Sequence, residues 1–364
     1  MMNVRMKSLS KNSRQSGFEL LRILMMLQVV FLHVCSKEMG AFTQIAEKMG
    51  GSVQTAWSLS FFMSRCPVLV FVMITGYFSV QKYHSWKDIF PKLKHTYGTM
   101  YFYSVMTGLV LLFTGCVAMT KGEIISLFLP MLSDKWYFMT LYVLLLLFIP
   151  IMNRCLATLS QKEYTGILLL LFFLFSIMPV LTTIEPFDEF ISLYRIYKPN
   201  GGKGIYSFLF AYMIGGYLRL YVQPKKLQKG WYLVVFVLAG LVNAYLALHC
   251  EEYYQVAPYN TNPFVLLQSV CLMLFFSNCH FQSRLVNSVA SSCMAVYMIH
   301  MHPQMIQVLW SKIFPMVREY SFYQDGWYLL RIAGVILAIF SVCILIDKIR
   351  LFVCELLIKN HHYH

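Results

Sequence analysis

Residues Phe18 to Cys35 read FELLRILMMLQVVFLHVC. The run is apolar enough to cross a bilayer, yet it carries Glu19, Arg22 and His33. A charged side chain near the bilayer centre costs about 2.5–3.5 kcal/mol. An arginine and a histidine kept in such a run therefore point to function. Their spacing adds geometry. Eleven steps of roughly 100° return to within about 20° of the starting direction, so Arg22 and His33 lie on one helix face. At 1.5 Å per residue they are about 16 Å apart along the axis. They are too distant to touch, but they can grip two ends of one long ligand.

The rest of the chain fits a membrane setting. Of its 364 residues, 58% are hydrophobic and 13% are charged, against about 25% charged in a soluble domain. The mean hydropathy is +0.60. The net charge of +14 would suit nucleic acid on a soluble protein. With no soluble domain to present it, that charge reads as membrane orientation, and no nucleic-acid partner is expected. The first apolar run is long and no small-residue cleavage site follows it, so it is expected to remain as a span. The ten cysteines show no metal-ligand spacing, and no metal is expected. Cys35, Cys66, Cys116, Cys271, Cys293, Cys343 and Cys354 lie in or at the ends of apolar runs, where cysteine packs as a small hydrophobe. Cys250 and Cys279 fall at loop edges on opposite sides, so no disulfide is expected between them.

Ten apolar runs can be marked, at about 18–36, 56–80, 97–119, 136–153, 164–183, 205–221, 231–249, 264–279, 288–310 and 327–347. Each approaches the roughly 20 residues needed to cross the hydrocarbon. The expected fold is an all-α polytopic membrane protein of about ten transmembrane helices. A basic tail (1–17) precedes a single membrane domain (18–353), and a short tail (354–364) follows. An even count puts both termini on one side. The N-terminus and the loops on its side (81–96, 154–163, 219–230, 280–287, 347–364) carry 18 of the 30 Lys and Arg but only 4 of the 16 Asp and Glu. By the positive-inside rule both termini are expected to be cytoplasmic; the membrane expected is the cytoplasmic (inner) one, as the family resemblance given below implies. No inverted repeat of the transporter kind is visible.

Orientation assigns depth. Glu19 and Arg22 fall at the cytoplasmic end of the first span and His33 at the external end. Arg65 lies in the outer part of the second span, at a depth like that of His33. Pro67 follows it and loosens the helix there. Gly76 permits close helix packing near the inner end. Tyr297-Met298-Ile299-His300 and His302 put two imidazoles toward the outer half of the ninth span. Taken singly, Arg22 can snorkel to the interface, and His33, His300 and His302 can be ordinary helix-end histidines. Arg65 is flanked by apolar sequence on both sides and calls for a wet cavity or an acidic partner. Trp136, Tyr137, Trp231, Tyr232, Trp327 and Tyr328 are interfacial anchors. Gly201-Gly202-Lys203-Gly204 lacks the spacing and strand context of a phosphate loop.

These motifs, in this order, resemble the integral-membrane acyltransferase-3 family, whose members O-acylate cell-surface glycans in bacteria. Glu19-Leu20-Leu21-Arg22 with His33 is similar to the family's arginine, ten residues, histidine pattern. Arg65, Pro67-Val68 and Gly76-Tyr77-Phe78 are similar to its second-span run, with Thr75 in place of the usual serine and Cys66 before the proline. Trp136-Tyr137-Phe138 leading to Pro150, Ile214-Gly215-Gly216-Tyr217, and Ser291 with Tyr297-Met298-Ile299-His300 resemble later signatures. Lys135 stands where the family often has histidine.

The resemblance implies transfer of an acyl group, acetyl before succinyl, from cytoplasmic acyl-CoA (acetyl-CoA) to a hydroxyl of a cell-surface or exported polysaccharide. Acyl-CoA is a substrate here, and no permanently bound cofactor is expected; the partners are acyl-CoA, a glycan acceptor and the lipid bilayer. Arg22, with help from basic residues of the 81–96 loop such as Lys82, is expected to hold the donor's phosphates. His33 is expected to act as general base or to be acylated itself. Arg65 is expected to stabilise the oxyanion or orient the acceptor. Asp134 is a candidate to fix the His33 tautomer, with Glu19 and His300 as further supporting residues. The rival reading is a transporter or flippase of a lipid-linked glycan, which would show repeat symmetry and helices broken near the midplane.

Overall fold

A computed structural model describes residues 14–36, 51–185, 187, 200–223 and 229–361. Most of the basic N-terminal tail, the greater part of the loops expected at 37–55 and 184–204, and the last residues of the C-terminal tail lie outside the described residues. The elements are helices: α1 (Ser16–Cys35), α2 (Gly51–Met63), α3 (Pro67–Ser79), α4 (Trp86–Phe113), α5 (Lys121–Phe128), α6 (Tyr137–Thr158), α7 (Gln161–Phe172), α8 (Ile205–Tyr221), α9 (Lys229–His249), α10 (Pro263–Ser277), α11 (Arg284–Ser291), α12 (Cys293–His300), α13 (Pro303–Val308) and α14 (Tyr328–His361). No strand occurs among the described residues.

Among the described residues, seven helical segments are long and apolar enough to cross a membrane: Ser16–Cys35, Gln54–Ser79, Trp86–Phe113, Tyr137–Thr158, Gln161–Leu181, Lys229–His249 and Tyr328–Leu357. Three runs expected as spans are shorter. α8 has 17 residues and α10 has 15, and the run expected at 288–310 is divided among α11, α12 and α13.

Local chemistry explains the divisions. Pro67 and Pro303 each stand at the start of a helix, where the missing N–H costs nothing. Continuing α2 through Pro67, or α12 through Pro303, would instead set the ring against the carbonyl four residues earlier. The basic stretch expected as a loop at 81–96 is largely helix. Ser85 and Asp88 form a reciprocal capping box that starts α4 at Trp86, and Pro91 is accommodated within that helix. The loop expected at 120–135 contains α5, capped in the same way by Thr120 and Glu123. α14 continues past 353 to His361, so the C-terminal tail begins as helix.

α1 runs through the centre of the bundle, packed against α3, α10, α11, α12 and α14. Its Leu21, Val30 and Val34 are fully buried. The most intimate pair is α3 with α8. A Cβ at Gly76 would overlap the Tyr212 carbonyl, and one at Gly215 would overlap the Met73 carbonyl. The two helices cross at their glycines, the close approach expected of Gly76. On the other flank, α9 packs against α2 and α10. The turn 251–262 is clasped by a polar network: Tyr253 donates to Asn243 Oδ1 (2.7 Å), Asn262 Nδ2 donates to the Tyr253 hydroxyl (2.9 Å), and Asn243 Nδ2 donates to the Ala257 carbonyl (3.2 Å). This clasp fixes the segment that meets Arg65.

Candidate active site

The last turn of α1 carries His33, and the last turn of α12 carries His300. His33 Nδ1 lies 2.9 Å from His300 Nε2, and His300 Nδ1 lies 2.5 Å from the carbonyl oxygen of Val296. A carbonyl only accepts, so His300 Nδ1 carries its ring's proton and donates it. With one proton per ring, His300 Nε2 is then an acceptor, and His33 Nδ1 must donate to it. The relay leaves His33 Nε2 as a bare lone pair. His300 is buried at 2% exposure, while His33 is half-buried and lines a cavity of about 430 Å³.

Arg65 lines the same cavity. It lies in the break between α2 and α3, where Pro67 interrupts the helix. Its Nε and Nη2 both donate to the Pro258 carbonyl, at 3.1 and 2.8 Å, and its guanidinium lies over the Phe61 ring, 5.0 Å from the centroid. The clasped turn of 251–262 thus supplies the acceptor that orients this cation. Lys203, Asn260 and Ser36 add to the polar lining, and Tyr137, Phe138 and Tyr297 supply aromatic walls.

A second cavity, of about 340 Å³, surrounds Arg22. Arg22 Nη1 pairs with Glu19, 2.5 Å away and three residues earlier on α1. Arg14, Lys92 and His95 face the same space, with the hydroxyls of Thr75, Ser79, Tyr142 and Ser291. A smaller cavity of about 150 Å³ shares His95, Tyr142, Ser291 and Met294 with it and adds Asp347 and Arg350. There Asp347, 1% exposed, accepts from Tyr103 (2.5 Å) and from Arg350 Nε (2.8 Å). The His33 and Arg22 cavities have two lining residues in common, Phe71 and Met294.

The residues singled out in the sequence divide accordingly. Arg22 and Glu19 are together at one end of α1; His33, His300 and Arg65 are together at the other. Two candidates lie elsewhere. Asp134 is exposed in the turn before α6, in a left-handed conformation with φ 45°, and is not part of the His33 cavity wall. The position at His33 Nδ1 proposed for it is taken by His300. Lys82 is exposed in the turn after α3 and is not part of the Arg22 cavity wall; Lys92, one helical stretch later in α4, is. His302 turns away from the site, donating through Nε2 to the Ser104 carbonyl at 3.1 Å with its ring against Trp136. Lys92 enters the sequence reading only among the basic residues of 81–96, and His95, Lys203 and Asn260 carry no role there. The first two sit on α4 with helical spacing of three, which would have put them on one face had that stretch been read as helix.

The arrangement sets an imidazole and a fixed guanidinium in one cavity, with a second, cation-lined cavity farther along the same helix. No group of histidine, cysteine and carboxylate side chains among the described residues could hold a metal ion. Residues 15–348, nearly the whole chain, match the family model described as an acyltransferase domain, that of the acyltransferase-3 family. A search of curated proteins and of solved structures finds no match to the chain. The helices, the motif residues gathered at the two ends of α1 and this match lead to one statement: the chain belongs to the acyltransferase-3 family of multi-pass membrane acyltransferases.

Proposed function

We propose that the protein moves a short acyl group, acetyl in the first instance, from acyl-CoA to a hydroxyl of a cell-surface or exported polysaccharide. The observation that carries the reading is the pair of cavities strung along α1, one around Arg22 and one around His33, bounded by the same Phe71 and Met294. In this reading ten segments cross the inner membrane. α8, α10 and the broken α11–α13 run complete the seven longer spans, both termini are cytoplasmic, and the Arg22 cavity faces the cytoplasm. Arg14, Arg22 and Lys92 hold the donor's phosphates, a task suited to Arg and Lys. The pantetheine arm passes Phe71 and Met294 and brings the thioester beside His33.

The acceptor hydroxyl comes from the external side. Its oxygen attacks the thioester carbonyl carbon while its proton passes to His33 Nε2. Arg65 stabilises the oxyanion so formed, or holds the acceptor in line. Collapse of the tetrahedral intermediate breaks the carbon–sulfur bond, and the leaving thiolate takes the proton from His33. His300 is a positioning residue: it holds His33 in the tautomer that can accept.

The test is to express the protein with its glycan pathway and measure acyl esters on the polymer by mass spectrometry. His33→Ala is expected to remove the ester while the protein still inserts and the polymer is still exported. Lost export with unchanged esterification would instead indicate transport of the glycan.

A further inference from the structure

The His33 cavity has an imbalance of charge. It is lined by two cations, Arg65 and Lys203, and by no carboxylate among the described residues. A cation in an apolar setting pairs with a carboxylate or with backbone carbonyls, and only the carboxylate neutralises it. Arg65 has a carbonyl and an aromatic ring instead, and Lys203 has the face of Tyr137, 5.4 Å from its centroid. When His33 takes up a proton during transfer, a third positive charge joins these two.

Lys203 is also held by a built loop. Gly201 and Gly202 adopt φ of 63° and 73°, a region open to glycine. The Gly201 carbonyl accepts from the Asn260 backbone N–H at 3.0 Å, and the Gly202 carbonyl accepts from Ser207 Oγ (2.5 Å) and Asn260 Nδ2 (3.3 Å). A Cβ on Gly202 would come within 2.9 Å of the Thr261 backbone nitrogen. The glycine run thus seats Lys203 and Asn260 together at the cavity wall. Lys203 is itself exposed, which places it at the mouth of the cavity, and it is not among the residues shared with the Arg22 cavity.

We infer that Lys203 and Arg65 form a subsite for an anionic group on the acceptor, so that the acceptor is an acidic sugar bearing a carboxylate or phosphate near the hydroxyl that is acylated. The acyl-transfer reading above enters only in assigning the acceptor, and not the donor, to the mouth. An arginine and a lysine suit either anion. The two bonds to Pro258 hold Arg65 toward the cavity without neutralising it. In this arrangement the ligand supplies a negative charge that the described residues of the lining do not.

The test uses the full chain in detergent micelles and has a binding arm and a turnover arm. In the binding arm, thermal stabilisation is measured with methyl glucuronide, glucose 6-phosphate and methyl glucoside. One or both acidic sugars are expected to bind about tenfold or more tightly than the neutral one, identifying carboxylate or phosphate. The preference is expected to collapse toward unity in Lys203→Ala and to survive in Lys203→Arg. In the turnover arm, ester formation is compared for acidic and neutral oligosaccharide acceptors, and for succinyl-CoA and acetyl-CoA as donors. Equal binding of acidic and neutral sugars, or a preference unchanged in Lys203→Ala, overturns the subsite. A Lys203-dependent preference for succinyl-CoA overturns its assignment to the acceptor and puts the anion on the acyl group. Lys203-dependent binding of acidic sugars with no ester from any donor would uphold the subsite and sink the acyl-transfer reading.

Discussion

The Arg22 cavity and the His33 cavity lie along one helix but are built by different means. Around Arg22, the cations come from α4, from the residues before α1 and from α1 itself. They face hydroxyls and are partly balanced by Glu19. Around His33, the histidine and the arginine are each aimed by a backbone carbonyl: Val296 through His300, and Pro258 directly on Arg65. A set of charges on long side chains tolerates a ligand that shifts, and is suited to holding. A relay of fixed hydrogen bonds specifies which nitrogen bears a proton, and is suited to reacting. The first region should govern donor affinity and the second the rate of the chemical step.

That division can be broken by mutation. His33→Ala is expected to lower kcat by about 10²–10⁴-fold while CoA affinity, measured by direct titration, stays as it was. If binding falls with the rate, the two cavities are not separable. His300→Phe, which leaves His33 Nδ1 without an acceptor, is expected to lower kcat by about 10–100-fold. His300→Gln should recover part of that loss, because an amide oxygen can accept from Nδ1. Equal rates for the two variants would show that His300 acts by packing alone. Arg22→Ala is expected to raise the KM for acyl-CoA about tenfold with kcat nearly unchanged, read from initial rates at varied donor concentration. The smallest effects sharpen the map: Lys92→Ala should raise the same KM about two- to threefold, and Lys82→Ala should leave it alone. The reverse order would place the donor's phosphates at the turn after α3.

The sequence was most informative where a local rule governs. The eleven-residue spacing of Arg22 and His33 needs only helix periodicity, and the structure sets each at its own end of α1. Pro67 marked the break that frees Arg65 from a helix. Gly76 marked the close crossing with α8. It was least informative where partners are far apart in the chain. His33 and His300 are separated by 267 residues, and nothing local distinguishes His300 from His302, two residues on. What separates them is the stop at Pro303, which leaves His300 in the last turn of α12 facing α1, while His302 turns to Ser104. Asp134 looked suitable from its place just before α6, but a left-handed turn carries it out to solvent. The basic residues of 81–96 read as a loop, with Lys82 as the example named, whereas the helix that begins at Trp86 brings Lys92 to the Arg22 cavity. The Ser85–Asp88 capping box was legible there, and it would have put Lys92 and His95 on one helical face.

Phe71 and Met294 have a consequence beyond catalysis. Any path wide enough for a pantetheine arm is wide enough for water, and a continuous water column through a membrane protein would pass ions. The two side chains that line both cavities are apolar, one a flat ring and one a flexible thioether that readily fills irregular gaps. Apolar constrictions of this kind stay closed to ions by excluding water. In the proposed reaction, the pantetheine arm that passes these two side chains must itself keep the path closed to ions while it displaces them.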